Sequence, residues 1–303
     1  MNVYFVKPKV DKIKKHHEEL KHHEELSPKE KILVLIKTSR PIFWVLPVII
    51  FLIGFLVADS KISFVFVLQL ILLSFPYCLI LFGINDIYDF ETDKINPRKG
   101  FVHGIILQRK NHELIKKTSL VFAGVLILSS ILTMNLTNIL AMLLLISISF
   151  FYSAMPIRFK EMPVIDSISN GVAILTMFIL GFSFGKPLAE FPLKLILVAF
   201  CGAATHAFTT IPDYSSDKKA GQKTFATSLG KRAAALFAVF IFIFILIAGN
   251  FQTMIINIYL ILCAACSFLV LIYPSEKLTL FLAKLMFVTF LIVTIIFLFF
   301  IVK

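Results

Sequence analysis

The sequence predicts an all-α polytopic membrane protein: nine transmembrane helices around a central cavity, carrying an internal four-helix repeat. Three observations predict it. The 303-residue chain is 58% hydrophobic and only 16% charged, more apolar surface than a soluble domain can hide. Apolar stretches of roughly 17–22 residues recur along it, the length at which a helix spans a bilayer and keeps every backbone group bonded in lipid. A six-residue acidic pattern also occurs twice, at the ends of the second and sixth stretches. Four spans restore the same orientation, so the two copies fall on one side of the membrane.

Residues 1–40 form a basic, His-rich N-terminal arm on the cytoplasmic side. Its tandem repeat KHHEELKHHEEL, residues 15–26, places Glu and Lys at helical spacing, as in a solvated, partly helical segment. Its lysines are expected to touch the membrane surface, in preference to a metal-binding role for its histidines. The arm lacks the apolar core and small-residue cleavage site of a signal peptide, so the first span is expected to serve as the insertion signal. Residues 41–303 form the transmembrane domain. Spans are expected at 42–58, 62–84, 118–134, 138–155, 165–184, 193–212, 233–249, 253–273 and 279–301. The longest internal loop, 85–117, separates the second from the third. Cys78, Cys201, Cys263 and Cys266 all lie in apolar spans and are expected to be packing residues. The CxxC of Cys263 and Cys266 has no neighbouring Cys or His in sequence to make a zinc or redox site of it.

The net charge of +12 is explained by its distribution. With the N-terminus inside, 25 of the 30 Lys and Arg fall on the cytoplasmic side. Only Lys61, Lys186, Lys194 and Lys303 lie opposite, and Lys284 sits within the last span. This is a strong positive-inside pattern for an integral protein of the cell membrane. The basic surface faces cytoplasm and anionic lipid headgroups. No base-reading motif accompanies it, and nucleic acid is excluded as a partner.

The acidic pattern carries the chemistry. Residues 85–93 read NDIYDFETD, and DFETDK at 89–94 matches DYSSDK at 213–218. Both run Asp, aromatic, any residue, Thr or Ser, Asp, Lys. In a helix, residues four apart share a face, so Asp89 pairs with Asp93 and Asp213 with Asp217. Asn85 and Asp86 fall on the broad face of Asp89. One such pair is easily a solvated helix end; two matching pairs on one side of the membrane are not. Crowded carboxylates need cations. The donors are hard oxygens without thiolate or imidazole, which selects Mg2+ or Mn2+. Two patches facing one another across a cavity suit two or three Mg2+ ions clamping a diphosphate. Arg98, Lys99, Arg158, Lys160 and Lys218 lie in loops on the same side and suit phosphate oxygens.

These residues resemble the UbiA superfamily of intramembrane prenyltransferases. Its NDxxDxxxD motif matches Asn85, Asp86, Asp89 and Asp93, and its DxxxD motif matches Asp213 and Asp217. The resemblance covers residues 35–303. NPRKG at 96–100 follows the first motif as in several branches, and YSAMPIRFK at 152–160 is similar to a YSxPPxRxK segment. Many members carry YxxxK there; this chain has Pro156 four residues after Tyr152, so the basic role is expected to pass to Arg158 or Lys160. Asn170 resembles a small-polar position of span five. FTTIPDYSSDKKAGQKTFATSLG at 208–230 looks most like the carotenoid-elongating branch, with aromatic and glycerol-phosphate-lipid acceptors left open.

The resemblance implies an Mg2+-dependent transferase of isoprenoid biosynthesis that moves a prenyl group from an allylic prenyl diphosphate to a lipophilic acceptor. It implies Asn85, Asp86, Asp89, Asp93, Asp213 and Asp217 as metal ligands. All of these except Asp86 are also expected to be catalytic. Arg98, Lys99, Tyr152, Arg158, Lys160, Asn170, His206 and Lys218 are expected to bind substrate. Tyr88, Tyr152 and Phe159 are candidates to face the allylic cation. His206, two turns before Asp213, is a candidate to touch the acceptor or take a proton, and a packing role competes with that. His103 and His112 belong to the first cytoplasmic loop. The competing class is a transporter or channel with the acids as a cation path, but transport residues usually sit near the bilayer midplane. Here both clusters lie at one edge beside basic loops.

Overall fold

The structure, a computed structural model, describes residues 26–94 and 105–301. The histidine repeat up to residue 25, Arg98, Lys99 and His103 lie outside the described residues. Among the described residues every regular element is a helix.

Helix α1, Pro28–Thr38, opens on a capping box. Glu30 N donates to Ser27 Oγ at 3.3 Å and Ser27 N donates to Glu30 Oε2 at 2.8 Å, so two orphan amides are satisfied. The chain then turns through Arg40, whose φ of 54° is left-handed, and bends by 50° into the first apolar helix. That helix, α2, covers Val45–Val57. The second predicted span is broken into α3, Phe64–Leu72, and α4, Phe75–Tyr88. Pro76 in the first turn of α4 explains the break, because proline disfavours helix at the residue before it. A short helix α5, Phe90–Asp93, follows.

The remaining spans are α6, His112–Ile131; α7, Leu136–Ser153; α8, Ile165–Phe182; and α9, Leu193–Thr209. Two short helices come next, α10, Tyr214–Lys219, and α11, Phe225–Leu229. The chain ends with α12, Lys231–Gly249; α13, Met254–Ile272; and α14, Glu276–Ile301. Each predicted span coincides with helix. Among the described residues seven stretches are long and apolar enough to cross a membrane, or eight with the bent pair of α1 and α2. The expected count of nine exceeds this because α2 and α9 have 13 and 17 residues. The protein is an integral membrane protein.

Helix α8 is central, packing on α2, α7 and α9. Its crossing with α2 depends on glycine. A Cβ at Gly181 would stand 1.9 Å from Phe51 O, and one at Gly54 would stand 2.1 Å from Phe178 O. Small residues let the two backbones touch where lipid gives no hydrophobic drive for association. Two large apolar cores result. One holds Phe51, Phe66, Tyr77, Met142 and Phe178; the other holds Phe208, Phe242, Leu260 and Met286. The first acidic motif belongs to the first half, the second to the second half, and Val198 packs on both cores. At the end of the bundle away from the motifs, Gln69 donates to Asn138 Oδ1 at 2.8 Å, and Asn138 donates to Ser183 Oγ at 2.9 Å. These buried amides tie α3, α7 and α8 together.

Candidate functional site

The two acidic motifs share a backbone as well as a sequence. Each first aspartate sits at a break, with φ, ψ of −98°, 4° at Asp89 and −94°, −1° at Asp213. Each opens a short helix, α5 or α10. Asp93 N donates to Asp89 O, and Asp217 N donates to Asp213 O, both at 2.8 Å. The expected continuous helical face is therefore interrupted: the long helices stop at Tyr88 and Thr209, and each motif turns off the end. The i, i+4 relation survives inside the short helix, with Asp93 and Asp217 buried.

Around Asp89 the neighbours are close. Asn85 Nδ2 donates to Asp89 Oδ2 at 2.8 Å and to Ser153 Oγ at 2.9 Å. Lys160 Nζ binds Asp89 Oδ1, and Arg158 Nη2 stands 3.5 Å from the same oxygen. Both cations come from the turn between α7 and α8, where Arg158 adopts φ 52°. Arg158 Nε also contacts Glu161 at 2.9 Å. Asp86 has no exposed surface and accepts a 2.7 Å bond from Arg40, which also lies over the Phe82 ring at 4.5 Å.

Outside the cluster, Glu91 pairs with Arg109 at 2.5 Å and Lys94 at 3.0 Å. The Arg109 guanidinium and the Lys94 ammonium hold its carboxyl below the usual carboxylate range. His112 packs edge-on to Phe90 and lies 3.2 Å from Leu107 O.

The second motif is anchored from the other half. Ser215 Oγ donates to Glu276 Oε1 at 2.6 Å, and Lys231 Nζ reaches the same oxygen at 2.6 Å while lying over the Tyr214 ring. Lys218 is exposed and turns to Tyr214, its Nζ 3.4 Å from the hydroxyl. Tyr88 is exposed, and Phe159 is half-buried beside Arg158.

Two observations bring the motifs to a common space. Gln222 Nε2, just after α10, donates to Thr92 Oγ1 of α5 at 3.0 Å. Asp89 and Asp217 both act electrostatically on the Tyr152 hydroxyl. Tyr152 itself heads a buried polar chain. Its hydroxyl lies 2.6 Å from His206 Nε2; His206 Nδ1 lies 3.1 Å from Ser167 Oγ; Ser167 donates to Asp166 Oδ1 at 3.1 Å. Asp166 Oδ2 accepts from Phe225 N at 2.8 Å, and Asn170 Nδ2 donates to Asp166 O at 2.8 Å.

Sequence reasoning missed Arg40, Ser153, Asp166, Ser167 and Gln222. Asp166 was the findable one, since a lone acid entering an apolar span is costly and therefore informative.

Among the described residues no three His, Cys, Asp or Glu side chains converge closely enough to hold a metal alone. The donor set nevertheless fits Mg2+. That ion usually takes one or two carboxylates and completes its shell with water and substrate phosphate oxygens. The carboxylates of α5 and α10, with the Asn85 amide, are all hard oxygen donors.

Residues 45–302 match the model of a family described as the UbiA prenyltransferase family. Among curated proteins, a C(50) beta-cyclic carotenoids biosynthesis protein of Dietzia sp. is 34% identical over 208 residues, 67% of this chain and 47% of that protein. The chain thus spans about half the length of this relative. A lycopene elongase/hydratase of Haloarcula japonica is 31% identical over 77% of this chain and 80% of that protein. Among solved structures, a UbiA homolog from Archaeoglobus fulgidus bound to DMAPP and Mg2+ superposes with a TM-score of 0.60. It is 22% identical, over 86% of this chain and 98% of that one, a likeness of fold.

Proposed function

The chain belongs to the UbiA prenyltransferase family, and from that premise we propose that it moves a prenyl group from an allylic prenyl diphosphate to a lipophilic acceptor. The acceptor class we favour is a long polyene of the carotenoid type, in keeping with the relatives' names. The observation that carries the proposal is the bond from Gln222 to Thr92. It supports a single site built from both acidic motifs.

In this reading Asn85, Asp89, Asp93, Asp213 and Asp217 would hold Mg2+. The ion, when bound, supplies Lewis-acid stabilisation of the departing diphosphate. Asp86 keeps the first motif in place through Arg40. Arg158 and Lys160, beside Asp89, bind phosphate oxygens and stabilise the charge that develops as the C1–O bond breaks. Lys218 stands at the rim, and Arg98 and Lys99, which follow the first motif in sequence, carry charge suited to the same phosphate oxygens. The acceptor's electron-rich alkene then attacks C1. Tyr152, Asn170 and His206 line the acceptor side, and the prenyl tail lies among the apolar helices. The basic surface, and with it the site, faces the cytoplasm.

The test uses the full chain in detergent, supplied with dimethylallyl and geranyl diphosphates. Release of diphosphate should require Mg2+, stop on chelation, and fall at least about 100-fold in Asp89→Ala and in Asp213→Ala, the loss expected for electrostatic groups of this kind. Undiminished release in both variants would falsify the assignment.

A further inference from the structure

The prenyl-transfer reading leaves one proton without a destination, and the buried chain behind Tyr152 offers one. We propose that Tyr152, relayed by His206, takes the proton that the acceptor loses after the new carbon–carbon bond forms. This rests on the prenyl-transfer reading and deepens it at the acceptor side.

The direction of the hydrogen bonds makes the argument. Ser167 uses its hydroxyl proton toward Asp166 Oδ1, so its oxygen is left to accept from His206 Nδ1, 3.1 Å away. His206 therefore carries its proton on Nδ1 and presents the lone pair of Nε2. The atom facing that lone pair, at 2.6 Å, is the Tyr152 hydroxyl, which must donate. Asp166 is held in turn by Phe225 N at 2.8 Å. The tautomer of His206 is thus fixed by partners on three elements: α8 supplies Ser167 and Asp166, α11 supplies Phe225, and α7 supplies Tyr152.

What remains is a phenol oxygen with a lone pair free for substrate. Tyr152 and His206 are each half-buried, not sealed in either apolar core. A packing pair would account for one hydrogen bond. It would not account for a chain of four groups that ends on a carboxylate.

The step balances. The C1–O bond of the donor breaks and its electron pair leaves with diphosphate. The acceptor's π pair forms the bond to C1 and leaves a cation on the neighbouring carbon. A C–H bond beside that cation then breaks, its electrons form the new C=C, and the proton passes to Tyr152 Oη as the phenol's own proton moves to His206 Nε2. Tyr152 is the catalytic group here, and His206 is the positioning residue and proton acceptor behind it.

The experiment measures two things on the full chain in detergent with dimethylallyl diphosphate, Mg2+ and either lycopene or host lipid extract. One is diphosphate released; the other, by mass spectrometry, is prenylated product formed by proton loss against product that has captured water. In Tyr152→Phe and His206→Ala the quantity read is product formed per diphosphate released, whatever happens to the release itself. The proton-loss product should fall by about 100-fold or more on that measure, the range for a general base, with the water-captured product rising in proportion. Ser167→Ala should show the same change more weakly.

An unchanged product ratio in Tyr152→Phe and His206→Ala overturns the proposal. So does a parallel fall of release and product, which would mark a merely structural pair. Wild-type protein that releases no diphosphate overturns the transfer reading itself, and release without any prenylated product overturns the acceptor side of it, this proposal included.

Discussion

Replacing Arg40 by Met removes a charge and keeps the stem that covers Phe82. Its guanidinium stands 2.7 Å from Asp86 Oδ1, with side-chain exposures of 14% and 0%. At that separation and an effective dielectric near 20, the gross attraction is about 6 kcal/mol. Desolvating the two ions offsets most of it, so the intact pair adds little net stability. Taking one partner away is different, because the carboxylate stays buried; the expected cost is about 3–5 kcal/mol. Asp86→Asn should cost less, since Arg40 is long enough to reach headgroups. The double variant Arg40→Met/Asp86→Asn should recover about 2 kcal/mol relative to the sum of the singles.

The assay is thermal unfolding in detergent. The chain has one Trp, Trp44, whose Nε1 donates to Ser39 Oγ at 3.0 Å, so its fluorescence reports on the bend that carries Arg40. A Tm drop of roughly 6–15 °C is expected for Arg40→Met. A drop below about 2 °C, or strictly additive singles, would refute the pairing as the reason Asp86 is buried and return Asp86 to the metal.

Gly181→Ala should destabilise the protein by about 1–3 kcal/mol, because its Cβ meets the backbone of α2 rather than a side chain that can yield. Gly124→Ala, with nothing within 4 Å of its Cβ, is the control and should be neutral or slightly stabilising; equal Tm values for the two would refute the close-crossing argument. Gln222→Ala removes the bond to Thr92, worth about 0.5–1.5 kcal/mol. It should raise KM for dimethylallyl diphosphate about two- to tenfold, Thr92→Ala should do the same, and the double variant should add nothing further. Independent, additive effects would show that the bond does not couple the motifs.

The helices and the twin motifs were legible because both are local signals. Apolar runs give the spans, and six matched residues give the repeat. The breaks were less so. Pro76 was a visible signal for the division between α3 and α4, and Pro212 for the turn at Asp213, but the turn at Asp89 has no breaker residue; nothing in DFETDK forbids helix. The partners of the acids were not legible at all. Arg40 and Asp86 are 46 positions apart, Lys160 and Asp89 are 71 apart, and Gln222 and Thr92 are 130 apart. Such pairings are made by packing, not by spacing. The count of nine spans is not confirmed for a related reason, since the apolar runs around α2 and α9 include the turns at their ends.

Those long separations bear on how the site forms. Carboxylates at the edge of an apolar bundle are expensive to bury, and Asp86, Asp89, Asp93 and Asp217 are all buried. The cations that offset the first two come from the bend before α2 and the turn between α7 and α8. The second motif is braced by the starts of α12 and α14 through Lys231 and Glu276. Neither motif therefore reaches its burial until its own half has packed. The two halves then meet at Gln222 and Thr92 and at the chain from Tyr152 in α7 to His206 in α9. A duplicated acidic turn on two separately cored halves suits divalent cations held between them, and cations so held would in turn accept an anionic group larger than one metal ion in the seam. A diphosphate has that size and that charge.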